Sequence, residues 1–403
     1  MTTSTEVPAT RATHLGLAVL ALAMGGFAIG TTEFVTMGVL PEVAAGVDVP
    51  IAQAGHVISA YALGVVVGAP VLAFFGAKWP RRGLLVALMA GYAVFNALSA
   101  LAVSFEMLVL ARFLDGLPHG GYFGVASLVA ASMVAPERRG RAISWVLLGL
   151  PVANVLGVPL ATVLGQQLGW RASYWLVAGL AGLALALVIA FVPACPGNPE
   201  ATGRRELAAL ALPQVWLTML AGAIGFGGMF ALFSYVAPAV TEVGGLPRSA
   251  VPVFLLTLGI GMVVGNWVAG ILVDWSILRS LLGSSIGLGV VLVAYWATAP
   301  AGWAALPAAF AVTFVGSVLA LSMMLRLIDV AGHAETLGAA MSHSSLNVGN
   351  ALGAWLGGLV IAAGHGYRAP ILVGVALAVA GFLVVVASAR LHVRTLNSEA
   401  STS

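Results

Sequence analysis

The chain has 403 residues, 61% of them hydrophobic and only 8% charged, and its mean hydropathy is +1.05. A soluble globular chain carries about a quarter charged residues and a disordered one is poor in apolar residues, so both classes are excluded. The 17 Lys and Arg behind the net charge of +3 are spread along the chain and form no patch for nucleic acid. The single cysteine, Cys195, rules out a disulfide framework or a multi-cysteine metal site.

A helix needs about 20 mostly apolar residues to cross a bilayer. Such runs recur twelve times, near 15–38, 52–76, 83–103, 106–133, 141–165, 172–193, 214–238, 250–273, 280–298, 303–327, 336–363 and 369–389. Barrel strands would alternate polar and apolar residues, and Leu180 to Ala190 shows no such alternation. The expected fold class is therefore all-α integral membrane, with twelve transmembrane helices. The polar start, Met1 to Glu6, has no basic region followed by a cleavage site, so 15–38 reads as a retained helix and not a signal peptide.

Twelve crossings put both termini on one side. Thirteen basic residues fall there, including Arg11, Lys78, Arg81, Arg82, Arg204, Arg205, Arg279 and Arg326, against three (Arg171, Arg248 and Arg368) on the other. Arg112 alone is read as lying inside a span. The excess marks the cytoplasmic face, so cytoplasmic termini are expected.

The chain also repeats. Gly64 and Gly68 return as Gly261 and Gly265, and Pro41 returns as Pro238, each 197 residues on. Asn154 and Gly157 return as Asn350 and Gly353, 196 residues on. This spacing predicts two six-helix halves of like orientation, residues 1–193 and 214–403, joined by a cytoplasmic linker at 194–213. Pro41 and Pro238 are expected to end the first and seventh helices.

Several stretches carry a family likeness: Gly30-Thr-Thr-Glu-Phe-Val35, Ala111-Arg-Phe-Leu-Asp-Gly-Leu-Pro-His-Gly120, Val152 to Leu160 with Gly169-Trp-Arg171, and Asn347-Val-Gly-Asn-Ala-Leu-Gly353. They resemble the major facilitator superfamily, and within it the bacterial arabinose and drug efflux branch of proton antiporters. The resemblance implies a monomer in the bacterial inner membrane that exports small organic solutes, drugs or sugars, in exchange for protons by alternating access, without a cofactor. One departure stands out. Where the family's loop between helices two and three carries Asp-Arg and then Gly-Arg-Arg, this chain has Ala77-Lys78 and Trp79-Pro80-Arg81-Arg82. An acidic partner is expected only in the second half, at Asp274 with Arg279.

Ionisable groups inside a span are costly and so are functional candidates. Glu33 in helix one and Asp115 in helix four are the carboxylates read as lying within spans. At ~1.5 Å per residue, Glu33, Arg112 and His56 share a depth roughly 10 Å from the outer end. Asp115 lies one turn from Arg112 on the same face. These four are the candidate proton-coupling residues, although Arg112 and Asp115 could equally be a self-neutralising pair and His56 a solvated helix-end residue. Phe34, His119, Phe230, Tyr235 and Asn350 are the candidate solute contacts; Phe230 is the repeat position of Glu33, which would set an aromatic wall opposite an acidic one. His119 and His343 are also read as packing residues, and the stripe Gly116, Gly120, Gly124 as a close helix contact. Lys78, Arg81, Arg82, Asp274 and Arg279 at the loops, with Gly149, Asn154, Gly157 and Pro159 in a bendable helix five, are the candidate conformational residues.

No phosphate-binding loop for ATP is present, which leaves an ion gradient as the energy source. His333 and Glu335 lack partners at zinc-ligand spacing. An importer is the alternative reading. A polytopic membrane enzyme or scaffold fits less well, because no set of catalytic polar groups gathers on one face.

Overall fold

The computed structural model describes residues 9–76, 78–195, 213–331 and 335–400. Ala77, Arg204, Arg205, His333 and most of the 194–213 linker lie outside the described residues. Twelve long helices are described: α1 (Ala9–Gly38), α2 (Ile51–Gly76), α3 (Arg81–Ala100), α4 (Phe105–Ser132), α5 (Arg139–Leu168), α6 (Arg171–Phe191), α7 (Pro213–Phe233), α8 (Val251–Trp275), α9 (Ile277–Thr298), α10 (Leu306–Ala331), α11 (Glu335–Ala362) and α12 (Ala369–Ala400). No strand occurs among the described residues. Among the described residues, ten stretches are apolar and long enough to span a bilayer, and one of them, Ile277–Val330, contains both α9 and α10. α4 is not among the ten because Arg112, Asp115 and His119 lower its hydropathy.

Two boundaries differ from expectation. α1 ends at Gly38, and Pro41 opens a further short helix, Leu40–Gly46, instead of closing α1. α7 ends at Phe233, and the chain resumes at Val236 with Pro238 inside the new segment. Proline tolerates the first turn of a helix, where its missing N–H costs nothing, so at both repeat positions it starts the continuation.

The repeat is visible in the packing. A Cβ on Gly64 or Gly68 would lie 2.1 or 2.2 Å from the carbonyls of Phe113 and Leu117 on α4. A Cβ on Gly261 or Gly265 would lie 2.5 or 2.4 Å from those of Phe310 and Phe314 on α10. Each pair of carbonyls is again 197 residues apart. Small residues let backbones meet closely, and van der Waals contact is what holds helices together in lipid. Gly116 and Gly120 complete the α2–α4 contact, whereas Gly124 faces open space.

The halves meet along two seams. In the α2–α11 seam, Ser59 Oγ donates to the Ala351 carbonyl at 3.1 Å. In the α5–α8 seam, a Cβ on Gly259 would lie 2.4 Å from the Asn154 carbonyl. Gln166 Nε2 also donates to the Arg248 carbonyl at 3.0 Å.

Candidate functional site

α4 places Arg112, Asp115 and His119 on one stripe, because residues three, four and seven apart share a helix face. That stripe turns towards α1, α2 and α3. Arg112 and Asp115 form an ion pair through Nη1 and Oδ2, with side chains 1% and 0% exposed. The second carboxylate oxygen of Asp115 accepts from Asn96 Nδ2 of α3 at 2.7 Å. Asn96 Oδ1 accepts from Thr32 Oγ1 at 2.7 Å. Arg112 returns to α1, donating to Thr32 Oγ1 at 3.3 Å and to the Thr32 carbonyl at 3.2 Å. The four residues form a closed ring.

Aromatic groups enclose it. The guanidinium lies 4.2 Å from the Tyr61 ring centre and 5.4 Å from that of Tyr174, a desolvated cation–π setting. Tyr174 and Thr36 share a 2.9 Å hydroxyl contact. A buried charge pair is tolerable only when its remaining donors and acceptors are satisfied, and the ring meets that condition except at Arg112 Nε, which has no partner. The self-neutralising reading of Arg112 and Asp115 matches this geometry.

Glu33 differs. It is 7% exposed and makes no hydrogen bond or ion pair with any described residue. Arg112 is held instead against the adjacent Thr32. Its other neighbour, Phe34, stacks on Phe230 of α7 with ring centres 6.1 Å apart and planes inclined by 13°. Phe233 meets Phe34 at 5.1 Å, and Phe226 meets Phe230 edge-on at 5.3 Å. Glu33 is thus next in sequence to a member of an aromatic junction between the halves.

A second junction lies further along α4. His119 Nδ1 and Tyr61 Oη are 2.9 Å apart, and Tyr61 Oη is 2.9 Å from Tyr92 Oη. Phe123 meets His119 edge-on at 5.6 Å and stacks on His343 of α11 at 6.0 Å. Asn350, on the same face of α11 as His343 by helical spacing, is fully buried with neither amide atom partnered.

Three expectations need correction. His56 does not join the charged layer. It is exposed, near Phe105 at 6.5 Å, and lines a separate cavity. Depth sets a residue's layer but not its direction: Tyr61, which faces Arg112, is five residues further on and so about 140° around α2 at ~3.6 residues per turn. Asp274 and Arg279 form no ion pair. Ser276 breaks the helix between them and caps the Arg279 N–H, and the Arg279 side chain lies over Trp275 at 5.0 Å. Tyr235 does not face the aromatic junction. Its hydroxyl donates to the Ala354 carbonyl at 2.6 Å, in a seat bordered by Gly55, Gly357 and Gly358.

Elsewhere, the start of α3 docks on the end of α6 and the residues just after it. The Arg81 N–H donates to the Cys195 carbonyl at 2.9 Å and Arg82 Nη2 to the Ile189 carbonyl at 2.5 Å, while Lys78 is exposed. Cations at a helix C-terminus meet the negative end of its dipole. In α5, Gly149 and Gly157 sit against Ala23 and Thr31 of α1, and residues Ala153–Gly157, around Asn154, form a π turn just before Pro159. Pro159 cannot donate to the preceding turn, and a π turn is one way to absorb the gap. Missed in the sequence is a second buried arginine, Arg326 of α10, paired with Asp329 at 2.9 Å.

The comparisons with known proteins agree with this architecture. A family model described as Major Facilitator Superfamily matches residues 22–346. The chain is 38% identical over 379 residues to the inner membrane transport protein YdhP of Escherichia coli strain K12, covering 94% of this chain and 97% of that one. It is 34% identical over 370 residues to a chloramphenicol resistance protein of Streptomyces lividans, covering 89% and 94%. The crystal structure of a D-xylose-proton symporter shares the fold, with a TM-score of 0.73 at 15% identity over 92% of this chain and 97% of that one.

Proposed function

The chain belongs to the major facilitator superfamily, and on that premise we propose that it exports small organic solutes in exchange for protons. The setting is a bacterial inner membrane, with both termini cytoplasmic and the protein working as a monomer. Residues 1–193 and 214–403 rock against each other about the α1–α7 aromatic junction, with 194–213 as the connecting linker. The names of the relatives support this direction: one is an inner membrane transport protein and another a chloramphenicol resistance protein.

One observation carries the coupling: Glu33, next in sequence to Phe34 of the Phe34–Phe230 stack, is buried without a hydrogen-bond partner among the described residues. Asp115 is committed to Arg112 and Asn96, so Glu33 is the carboxylate in this layer left to exchange a proton. In the proposed cycle Glu33 takes up a proton while it faces outwards. Facing inwards it releases the proton, and a solute then settles between the carboxylate and the phenyl rings. Proton and solute compete, and alternating access turns that competition into exchange. Asn350, with both amide atoms unpartnered, offers hydrogen bonds to a polar substituent.

The test is proton release when solute is added to purified protein. Glu33→Gln keeps shape and hydrogen bonding but cannot ionise. Release and gradient-driven efflux should both be lost while the melting temperature is held. Undiminished release from Glu33→Gln would exclude Glu33 as the coupling group.

A further inference from the structure

Near the start of α2 and the end of α11, the seam between the halves opens into a cavity of about 610 Å³. Ile51, Leu359 and Ile361 give it apolar walls, and Gln53, His56 and Tyr367 contribute polar tips. No acidic residue lines it. Pockets of roughly 300–1,000 Å³ with apolar walls and a few polar groups are the size and character of small-ligand sites.

The position of the cavity gives this meaning. Its lining includes Ala52 and Gly358. A Cβ on Gly358 would lie 2.8 Å from Tyr235 Oη and 2.9 Å from the Ala52 carbonyl. Tyr235 therefore stands directly behind the cavity floor. Two residues earlier on the same chain, Phe233 touches Phe34 in the aromatic junction. The tyrosine is held in its seat by the bond to the Ala354 carbonyl. It sits on the seam between α2 and α11, which must part when the halves rock.

We propose that this cavity is a second solute subsite, on the release side, with Tyr235 closing its floor. It takes neutral amphipathic solutes carrying an aromatic ring and hydrogen-bonding substituents, because its walls supply apolar surface, an imidazole, an amide and a phenol but no carboxylate to favour a cation. This rests on the export reading only for the order of events; occupancy of the cavity is independent of proton coupling.

The experiment is photolabelling of the purified full chain in detergent with an aryl-azide analogue of chloramphenicol, followed by peptide mapping. Labelling is expected both on α1 or α7 peptides and on peptides containing His56 or Leu359 to Tyr367, with excess chloramphenicol suppressing both. Leu359→Trp fills the cavity from a position already 46% exposed, and should reduce cavity labelling about tenfold, the scale of losing a good apolar contact, with α1 and α7 labelling kept. Phe230→Ala should do the reverse. Labelling confined to α1 and α7, cavity labelling insensitive to competitor or to Leu359→Trp, or no labelling at all would each overturn the subsite. Cavity labelling in a protein that shows no proton exchange would sink the antiport reading and leave the subsite standing. Exchange without cavity labelling would do the opposite.

Discussion

Asn96 on α3 donates to the one oxygen of Asp115 that Arg112 leaves free, at 2.7 Å, with both residues fully buried. A neutral amide therefore completes a charged ring whose other members lie on α1 and α4. Asn96→Ala would strand that oxygen and leave the Thr32 hydroxyl proton without its acceptor. Leaving a buried polar group unpaired costs about 1–3 kcal/mol. Thermal unfolding in detergent should show a loss of that order. Asp115→Asn should lower stability more, because it strips Arg112 of its counter-charge. A melting temperature unchanged in both variants would mean that the ring does not stabilise the fold.

Gly149 marks a close approach of the α5 backbone to that of α1. A Cβ there would lie 2.2 Å from the Ala23 carbonyl, whereas one on Gly179 would meet nothing within 4 Å. Gly149→Ala must push two backbones apart, at about 1–3 kcal/mol. Gly179→Ala should be neutral or slightly stabilising. Melting temperature and solute flux measured on both variants should separate them clearly; equal behaviour would contradict the packing described for α5.

Orientation can be tested by chemistry from outside the cell. With Cys195 replaced by Ser, a cysteine at Lys78 should be shielded from an impermeant thiol reagent in intact cells. A cysteine at Arg248, whose side chain is 75% exposed, should react. The opposite pattern would place the termini outside.

Glu42 adds a pH dependence at the end of the bundle. Its carboxyl titrates above the usual carboxylate range because burial outweighs the local hydrogen bond and the pull of Arg248, which lies 4.0 Å away. A raised value means that the folded state favours the protonated form, so this stabilisation is present below the ordinary carboxylate range and is lost as pH rises through the raised value. Glu42→Gln should thus gain stability relative to the wild type as pH rises above the ordinary Glu value of about 4.3. A melting-temperature difference that is flat above that value would refute the assignment.

The helices were legible because a membrane span must be apolar along its whole length, and the Arg112–Asp115 pair because three residues fix one turn. The groups that complete and enclose the ring were not legible. Thr32, Tyr61, Asn96 and Tyr174 come from four other helices, and no spacing ties them to Arg112. The one available signal was Asn96 itself, an amide in the middle of an otherwise apolar run. His56 was misplaced because counting along an axis gives height but not azimuth. Asp274 and Arg279 were paired on the resemblance to the family's loop, yet Ser276 breaks the helix between them and Arg279 lies over Trp275 instead. Tyr235 followed its aromatic neighbours by helical spacing, and that spacing ends at Phe233.

The closed Arg112–Asp115 ring also has an electrical consequence. Because the cation and its counter-ion cancel, the charge of this layer follows Glu33 alone, and one proton takes it from negative to neutral. Exchange of one proton for a neutral solute would then carry one net positive charge inwards per cycle. The membrane voltage would add about 2.3 kcal/mol per 100 mV to the drive. A singly charged cationic solute would cancel that current and leave only the proton gradient to act. The same ring would therefore run an electrogenic cycle or a silent one according to the charge on its cargo.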